Sequence, residues 1–260
     1  WSYYRNWIEP FFKKNPVMLH EVQLDTLTKL VKFCREKLSG KSTFNVLNAL
    51  RSMMTYACKS KRIADIPFFP EYSDYGIIPS EPDWLPVTEF NKVIEKIPEN
   101  EQPIFLWLYY HFRREGEACA LYKTDYDAIN DCFTIRHTIS SRKLVDGHKT
   151  SHKNKKPLVV ACDQRFTPIA RKLLNENLDS KFLFVNPRAR KEGKRYTLEA
   201  LSILWYKACD EAGVRRIKPY CGTKHTGCTH FIERGGSRDS LQILTQHRRA
   251  ESLHHYVLIT

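Results

Sequence analysis

Residues 219–257 read PYCGTKHTGCTHFIERGGSRDSLQILTQHRRAESLHHYV and combine five histidines and two cysteines with a late tyrosine, Tyr256. Such a density of titratable side chains has three explanations: a metal site, a catalytic site, or a helix with incidental histidines. The spacing within the stretch tests the first explanation. The relation of the stretch to the rest of the chain tests the second.

Zinc is the metal to consider, because Cys221, His225, Cys228 and His230 offer thiolate and imidazole ligands within ten residues. Compact structural zinc sites take two ligand pairs separated by a longer loop or helix, so that four side chains converge. Here the intervals are C-x3-H and C-x-H in one continuous segment, which disfavours zinc. A zinc-stabilised basic binding module therefore stands as the third hypothesis for this protein.

Composition favours an intracellular protein that binds a polyanion. Forty-two Lys and Arg against 29 Asp and Glu give a net charge of +13, which favours nucleic acid as the partner. The eight cysteines are scattered, several in apolar helical contexts, which indicates buried thiols in a reducing compartment. No apolar run approaches the ~18–20 residues that span a bilayer. We expect no membrane contact and, because the chain opens on Trp1, a further N-terminal segment.

Hydrophobic spacing predicts a small helical domain first. Segments 22–38 and 42–63 carry apolar residues at three- and four-residue steps, the second with Ser42 or Thr43 as its N-cap. The aromatic-rich start, WSYYRNWIEPFF, is predicted to be another helix of this bundle with its Trp and Tyr side chains in the core. Five prolines in 66–86 predict an extended linker. We therefore place a domain boundary between residues 78 and 79.

The second domain is predicted to be helical with a small sheet. Helices are expected at 87–97 (capped by Thr88), 103–121, 165–178, 197–214 and 229–236, the last two ended by Gly213 and Gly235. Segments 132–139 and 156–161 resemble strands, joined by a basic, turn-rich tip as a β-ribbon. The fold class is thus mainly α with a small antiparallel β-sheet (α+β).

Four segments far apart in the chain, FRREGEACAL, GHKTSHKNKKPLVV, PYCGTKHTGCTHFIERG and LTQHRRAESLHHYV, follow one known order. The chain resembles the tyrosine recombinases of the phage integrase family. These enzymes carry an arginine with a glutamate three residues later, a lysine on a β-hairpin, an H-x-x-R motif, and a histidine or tryptophan nine residues before the nucleophilic tyrosine. The resemblance implies that the catalytic residues are Arg114, Lys149, Cys221, Lys224, His247 and Tyr256, with Glu117 and His225 supporting them. Each match is weak alone, and the combined order and spacing make a strong signal.

Two positions depart from the family pattern. Lys224 stands where the family has its second arginine, and it delivers charge without the planar fork that grips a phosphate twice. Cys221 stands where the family has its first histidine. A thiol of unperturbed pKa ~8.5 is a poor proton acceptor near neutral pH. His225 would then take over this role, or His247 would act alone.

The resemblance also implies an architecture and a reaction. Residues 1–78 would be a helical core-binding domain and 79–260 the catalytic domain, together a clamp around duplex DNA. Tyr256 would attack a DNA phosphodiester and form a 3′-phosphotyrosyl link, with Lys149 protonating the leaving oxygen and no cofactor. The partners would be double-stranded DNA attachment sites, a homotetramer and accessory DNA-bending proteins. A relative that binds DNA without cleaving it is the second hypothesis.

Basic side chains outside the catalytic set are expected to hold the DNA backbone, with steep salt dependence. The predicted DNA contacts are Lys143, Lys153, Lys155, Lys156, Arg188, Arg190 and Lys191. The lysines that flank Lys149 in this set are also alternatives to it as the general acid, and Lys149 itself could be a plain phosphate contact.

Overall fold

The computed structural model describes residues 1–78, 83–147 and 157–246. The chain forms two compact units, Trp1–Ser80 and Glu81–Thr260, and each has a hydrophobic core of its own. Most described residues are helical, and the sheets are small and antiparallel. The predicted class, mainly α with a small antiparallel sheet, is confirmed.

The first unit is a helical bundle. Its helices are α1 (Glu9–Lys14), α2 (Leu24–Arg35) and α3 (Gly40–Lys59), with short π and 3-10 turns at Tyr4–Ile8, Leu19–Glu21 and Tyr72–Tyr75. The two amphipathic helices expected at 22–38 and 42–63 are confirmed as α2 and α3. The N-cap of α3 is Ser39, whose hydroxyl accepts from the Ser42 N–H at 3.3 Å, rather than Ser42 or Thr43. The helix begins earlier because Gly40 lets it approach the backbone of Tyr75, where a Cβ would come within 2.3 Å of the carbonyl.

Two predictions for the first unit need correction. Trp1 is 81% exposed and Tyr3 is also exposed, so these two side chains lie outside the core, whereas Tyr4 and Trp7 pack against the core that includes Ile8 and Phe11. Amphipathic spacing chose which side chains turn inward, and Trp1 lies before the first helical turn. The proline-rich segment is extended only in part. Tyr75, 2% exposed, packs its ring edge-to-face on Phe44, so this part of the predicted linker belongs to the first core.

The second unit surrounds one larger core, in which Trp107 and Trp205 are fully buried. Its first helices are α4 (Val87–Lys96), α5 (Gln102–Tyr110) and α6 (Glu115–Ala118), with 3-10 turns at Glu99–Glu101 and Lys123–Asp125. The strands are β1 (Tyr126–Asp127), β2 (Cys132–Ile135), β3 (His137–Ser140), β4 (Lys143–Asp146) and β5 (Leu158–Ala161). The later helices are α7 (Thr167–Asn175), α8 (Leu198–Glu211), a π turn at Cys221–His225, α9 (Thr226–Glu233) and α10 (Arg238–Thr245).

The predicted helix 103–121 is in fact two helices. α5 ends at Tyr110, and the chain turns at Phe112, whose φ is +55°, before α6 starts. The Arg113 N–H donates to the Leu108 carbonyl at 3.1 Å and closes the turn. The helix expected at 87–97 is confirmed as α4, although its N-cap is Pro86, not Thr88.

The strand predicted over 132–139 is divided at Arg136. β2 pairs with β5 and β1 in a three-stranded antiparallel sheet, whereas β3 pairs with β4 in a separate hairpin. The Arg136 guanidinium donates to the buried Asp125 carboxylate, and the Arg136 backbone carbonyl accepts from the Gly147 N–H. The hairpin turns at Ser141 and Arg142, both with positive φ. Part of the predicted basic, turn-rich tip is therefore regular strand, and residues 148–156 lie outside the described part of the chain.

The C-terminal helices agree with the prediction in outline. The helix expected at 229–236 begins three residues earlier, as α9, and α10 follows it. Gly213 and Gly235 adopt φ of +64° and +88° directly after helix ends, which confirms both as stop signals. Within the described ranges, no helix combines the length and apolarity needed to cross a membrane.

Candidate active site

Arg114 follows the bend between α5 and α6, and Glu117 bonds both its backbone and its side chain. Arg114 is the N-cap of α6, and its backbone N–H donates to Glu117 Oε2 at 3.0 Å. Its guanidinium Nη1 lies 3.4 Å from Glu117 Oε1. The Glu117 side chain is only 1% exposed, whereas that of Arg114 is 23% exposed. One buried carboxylate thus orients an arginine that still reaches the surface.

A glycine brings this helix against the hairpin. Gly116 in α6 faces β3, and a Cβ at this position would lie 2.6 Å from the Ile139 carbonyl oxygen and 2.9 Å from Thr138 Oγ1. The absence of a side chain therefore allows contact between the backbones of α6 and β3. In sequence, β4 ends three residues before Lys149, and Lys149 lies outside the described residues.

Lys224 reaches the same region from the π turn at Cys221–His225. This turn sits tightly on the core, because a Cβ at Gly222 would come within 2.2 Å of the Trp205 ring. Lys224 is 1% exposed. Burial, and then the positive charge of Arg114, lower the pKa of Lys224 to about 8, and the Glu117 charge opposes them. Arg114, Glu117 and Lys224, far apart in sequence, therefore share one electrostatic environment.

Tyr220 is a site residue that the sequence interpretation missed. The Lys224 Nζ lies 5.7 Å from the centre of the Tyr220 ring, and the His225 ring packs edge-to-face on it at 4.5 Å. Burial raises the pKa of the Tyr220 phenol, and the charge of Arg114 acts against that rise. The sequence signal for Tyr220 was its position directly before Cys221, which with Lys224 matches the family's H-x-x-R motif as C-x-x-K. His225 thus contacts the ring that lies beside Lys224.

Cys221 has the character of a neutral thiol. It is partly buried, and burial, followed by the charge of Asp83, raises its pKa. A thiol whose pKa lies above its ordinary value is protonated at neutral pH and is unsuited to accept a proton. Among the described residues, no group of three or more His, Cys, Asp or Glu side chains could hold a metal ion.

The site carries more positive than negative charge around Glu117. This carboxylate bonds Arg114 and also raises the pKa values of Arg113 and Lys224, both of which burial lowers. Arg113 is a second residue that the sequence interpretation missed, although it directly precedes Arg114. Arg113, Arg114 and Lys224 thus place net positive charge beside one buried carboxylate, and the partly exposed Arg114 offers that charge to a phosphodiester anion.

The remaining predicted residues divide into three groups. Lys143, Arg190 and Lys191 are exposed, which a backbone contact requires. Arg188 instead donates to the buried Glu101 carboxylate at 2.6 Å, so part of its charge is already balanced. The residues that lie outside the described part of the chain are Lys149, Lys153, Lys155, Lys156, His247 and Tyr256.

The model of the phage integrase family matches residues 85–260, and no curated protein matches the chain. A Tn1549 transposon integrase in complex with transposon right end DNA is 15% identical, with a TM-score of 0.80 over 100% of this chain and 89% of that one. The XerH site-specific recombinase bound to palindromic difH substrate, in a post-cleavage complex, is 17% identical, with a TM-score of 0.70 over 99% and 75%. A lambda integrase dimer bound to a COC′ core site is 11% identical, with a TM-score of 0.66 over 97% and 86%. At these identities the likeness is one of fold.

Proposed function

The chain belongs to the phage integrase family, and we propose that it is a site-specific DNA recombinase that breaks and rejoins strands through a covalent 3′-phosphotyrosyl intermediate on Tyr256. Membership of the family confirms the resemblance read from the sequence. The observation that carries the proposal is that Arg114, bonded to the buried Glu117 carboxylate, and the buried Lys224 lie within reach of each other's charge, because Arg114 lowers the pKa of Lys224 and Glu117 raises it. Only the integrase-like order of motifs requires these two residues to share a site.

The positive charges of Arg114 and Lys224 would offset the charge repulsion that opposes phosphodiester cleavage. The phosphodiester is anionic, and the pentacoordinate transition state gathers further negative charge on its equatorial oxygens. Arg114 and Lys224 would donate to these oxygens, joined by His247. Removing one such donor typically costs ~3–4 kcal/mol of barrier, or roughly 10²–10³ in rate. Because Glu117 already orients Arg114, the guanidinium needs little reorganisation when the charge develops.

The proposed reaction exchanges one phosphorus–oxygen bond for another. The Tyr256 oxygen forms a bond to phosphorus while the bond from phosphorus to the 5′ oxygen breaks. A phenol has a pKa of ~10, so its proton must pass to a base, for which His225 and His247 are the candidates. Lys149 would supply the proton that the leaving 5′ oxygen needs. A 5′ hydroxyl from a second strand reverses the step and rejoins the DNA.

The partners follow from this reaction. We propose double-stranded DNA attachment sites as the substrate, supported by the DNA named in the Tn1549, XerH and lambda structures. Residues 1–78 would act as the core-binding domain and 79–260 as the catalytic domain. A homotetramer on DNA, with accessory DNA-bending proteins, would bring two sites together. The exposed Lys143, Arg190 and Lys191 would neutralise backbone phosphates.

A second function has a specific observation in its favour. Cys221 replaces the family's first histidine, and its raised pKa leaves a protonated thiol at that position. A relative of the family that binds its sites without cleaving them would tolerate this loss. It would keep DNA affinity and form no covalent adduct.

The test must find the DNA site and the adduct together. The purified chain is incubated with a library of nicked suicide duplexes whose central segment is randomised. Covalent complexes are recovered after SDS denaturation, and the attached DNA is sequenced. We expect adducts enriched in one related set of sequences, linked through Tyr256 by peptide mass spectrometry.

The Tyr256→Phe variant is the matched control, and non-covalent selection from the same library runs beside it. The variant should select the same sequences without adducts. If the wild-type chain also selects sequences but forms no adduct on them, the second function replaces the first. An adduct that persists in Tyr256→Phe would show that another residue attacks the DNA.

A further inference from the structure

The bend that carries Arg114 also reaches α10, the last described helix. Arg113 is 3% exposed. Its Nε donates to the His111 carbonyl at 2.6 Å, which keeps the side chain folded over the bend. Its Nη2 donates to the carbonyl of Leu244, in the last turn of α10. One side chain therefore connects the root of Arg114 to the end of another helix.

The Leu244 carbonyl is a favourable place for a cation. The last four carbonyls of an α-helix have no partner within the helix, and the helix dipole places partial negative charge at that end. α10 ends at Thr245, and its C-cap is Gln246, whose φ of +51° turns the chain out of the helix and whose N–H donates to the Ile243 carbonyl. The guanidinium of Arg113 satisfies the next carbonyl. It thereby fixes the residue from which the chain leaves α10.

Phe112, the residue before Arg113, contacts α10 at a second point. Phe112 forms a small buried cluster with Cys228 of α9 and Leu241 of α10. Leu241 and Leu244 are three residues apart and so lie on one side of α10. Phe112 and Arg113 together hold that side, the first by apolar packing and the second by a charged hydrogen bond. Two contacts fix both the position and the rotation of the helix.

The burial of Arg113 has a cost that packing alone does not explain. Burial lowers the pKa of its guanidinium, and the nearby charge of Arg114 lowers it further, while Glu117 opposes both. An apolar side chain of similar volume would fill the space without desolvating a charge, and such exchanges are often neutral or stabilising. The charge at this position therefore has a use beyond filling the core.

We propose, on the basis of the function proposed above, that Arg113 is a positioning residue for the nucleophile. Leu244 precedes His247 by three residues and Tyr256 by twelve. By holding Leu244 while its own backbone leads into Arg114, Arg113 sets the start of the segment that bears the attacking tyrosine relative to the phosphate-binding arginine. The residue acts through α10 and touches neither substrate nor reacting atoms.

Three variants separate positioning from general stability. Arg113→Met keeps the volume and removes the donors, Arg113→Lys keeps one charged donor, and Arg216→Met removes an exposed arginine bonded to Asp210 on α8 as a control. Single-turnover cleavage and DNA affinity are measured for each on the selected suicide duplex. We expect Arg113→Met to slow cleavage by about 10- to 100-fold, because small misplacements of reacting groups cost this much. DNA affinity should stay within a factor of about two, since ground-state DNA contacts come from other side chains.

Arg113→Lys should recover part of the rate, and Arg216→Met should match the wild type. A wild-type rate in Arg113→Met overturns the proposal. So does a parallel fall of rate and affinity, because it would show that Arg113 supports the fold as a whole.

Hydrogen exchange supplies a readout that does not depend on activity. Amides in the peptide covering α10 should exchange faster in Arg113→Met than in the wild type, while those of α8 should not change. If the wild-type chain forms no covalent adduct, the recombinase function fails, and the exchange rates still decide whether Arg113 holds α10. Unchanged exchange in α10 would overturn the positioning role even in an active enzyme.

Discussion

Replacing Lys224 with methionine should make the protein more stable and less active at the same time. Lys224 is 1% exposed, and its pKa lies at about 8 instead of the ordinary 10.5. The difference of about 2.5 pKa units corresponds to about 3 kcal/mol of unfavourable free energy for the charged folded form. Methionine has nearly the same shape and no charge to desolvate. Lys224→Met should therefore raise the free energy of unfolding at pH 7 by up to about 3 kcal/mol.

The size of this stability gain depends on pH in a way that identifies the buried charge of Lys224 as its cause. Between pH 8 and 10.5 the unfolded lysine binds a proton that the folded one has lost, so wild-type stability rises with pH in this window. Below pH 8 both states are charged and the full cost is present. The stability gap between Lys224→Met and the wild type should thus be constant below pH 8 and shrink towards zero as pH approaches 10.5.

Urea unfolding followed by circular dichroism at pH 7 and pH 10 measures this gap. Lys207→Met, at an exposed lysine of α8, is the matched control and should change stability little at either pH. Cleavage of the suicide duplex by Lys224→Met should fall roughly 10²–10³-fold, as for loss of one transition-state donor. A variant that is less stable than the wild type at pH 7, or a gap of equal size at both pH values, would refute the argument from buried charge.

Four further outcomes follow from the same site and its surroundings. At subsaturating DNA, Lys224→Arg should hold its cleavage rate above pH 8, where the wild-type rate should decline because Lys224 loses its proton in the DNA-free protein. Parallel pH–rate profiles under these conditions would contradict a cationic role for Lys224. Glu117→Gln should slow single-turnover cleavage by about tenfold with little change in DNA affinity, because Arg114 loses the charge that orients it, and an unchanged rate would count against that orientation. Gly116→Ala should lower the urea midpoint although alanine favours helices by roughly 0.5–1 kcal/mol, since its Cβ would meet the β3 backbone, and a stabilised variant would contradict that close approach. Burial lowers the pKa of His111 to about 4, so the wild type should lose up to about 3 kcal/mol of stability as pH falls from 6.5 to 4, and His111→Gln, followed by the same urea titration, should lose less.

Local patterns in the sequence predicted the elements whose apolar residues repeat regularly. α2 and α3 were predicted from three- and four-residue spacing, because each buries one face and exposes the other. Their N-caps were harder to predict, because the N-cap depends on where the chain enters the helix. At α3 that point is set by a contact between Gly40 and the distant Tyr75 backbone, which periodicity does not encode.

The bend at residues 111–114 shows where sequence reasoning fails. The run from Pro103 to Leu121 is apolar enough to suggest one buried helix, and no glycine or proline interrupts it at the turn. Phe112 adopts a positive φ that a phenylalanine rarely takes. Its ring is held by Cys228 and Leu241, so tertiary packing stabilises the turn. Such a contact between distant segments leaves no mark in local spacing.

The candidate site was located by order and resemblance, and its physical character came from the fold. The match of Cys221 and Lys224 to the family's H-x-x-R motif predicted that Lys224 shares a site with Arg114, but neither the near-complete burial of Lys224 nor its lowered pKa can be read from the motif. The same applies to Arg113, whose neighbour Arg114 matched the family pattern. Its partner is a main-chain carbonyl of α10, which carries no side-chain signature in the sequence.

The excess positive charge of Arg114 and Lys224 over Glu117 would be balanced by a bound phosphate. Arg114 and Lys224 both interact with the Glu117 charge, so the folded chain keeps more positive than negative charge there, at a cost in stability that the burial of Lys224 makes large. In the proposed function, a phosphodiester anion bound beside Arg114 would supply the missing negative charge and favour the protonated form of Lys224. DNA binding and the charging of Lys224 are then coupled, because each makes the other more favourable. A permanently charged arginine at this position would show no such coupling, so the lysine makes the cationic strength of the site depend on whether DNA is bound.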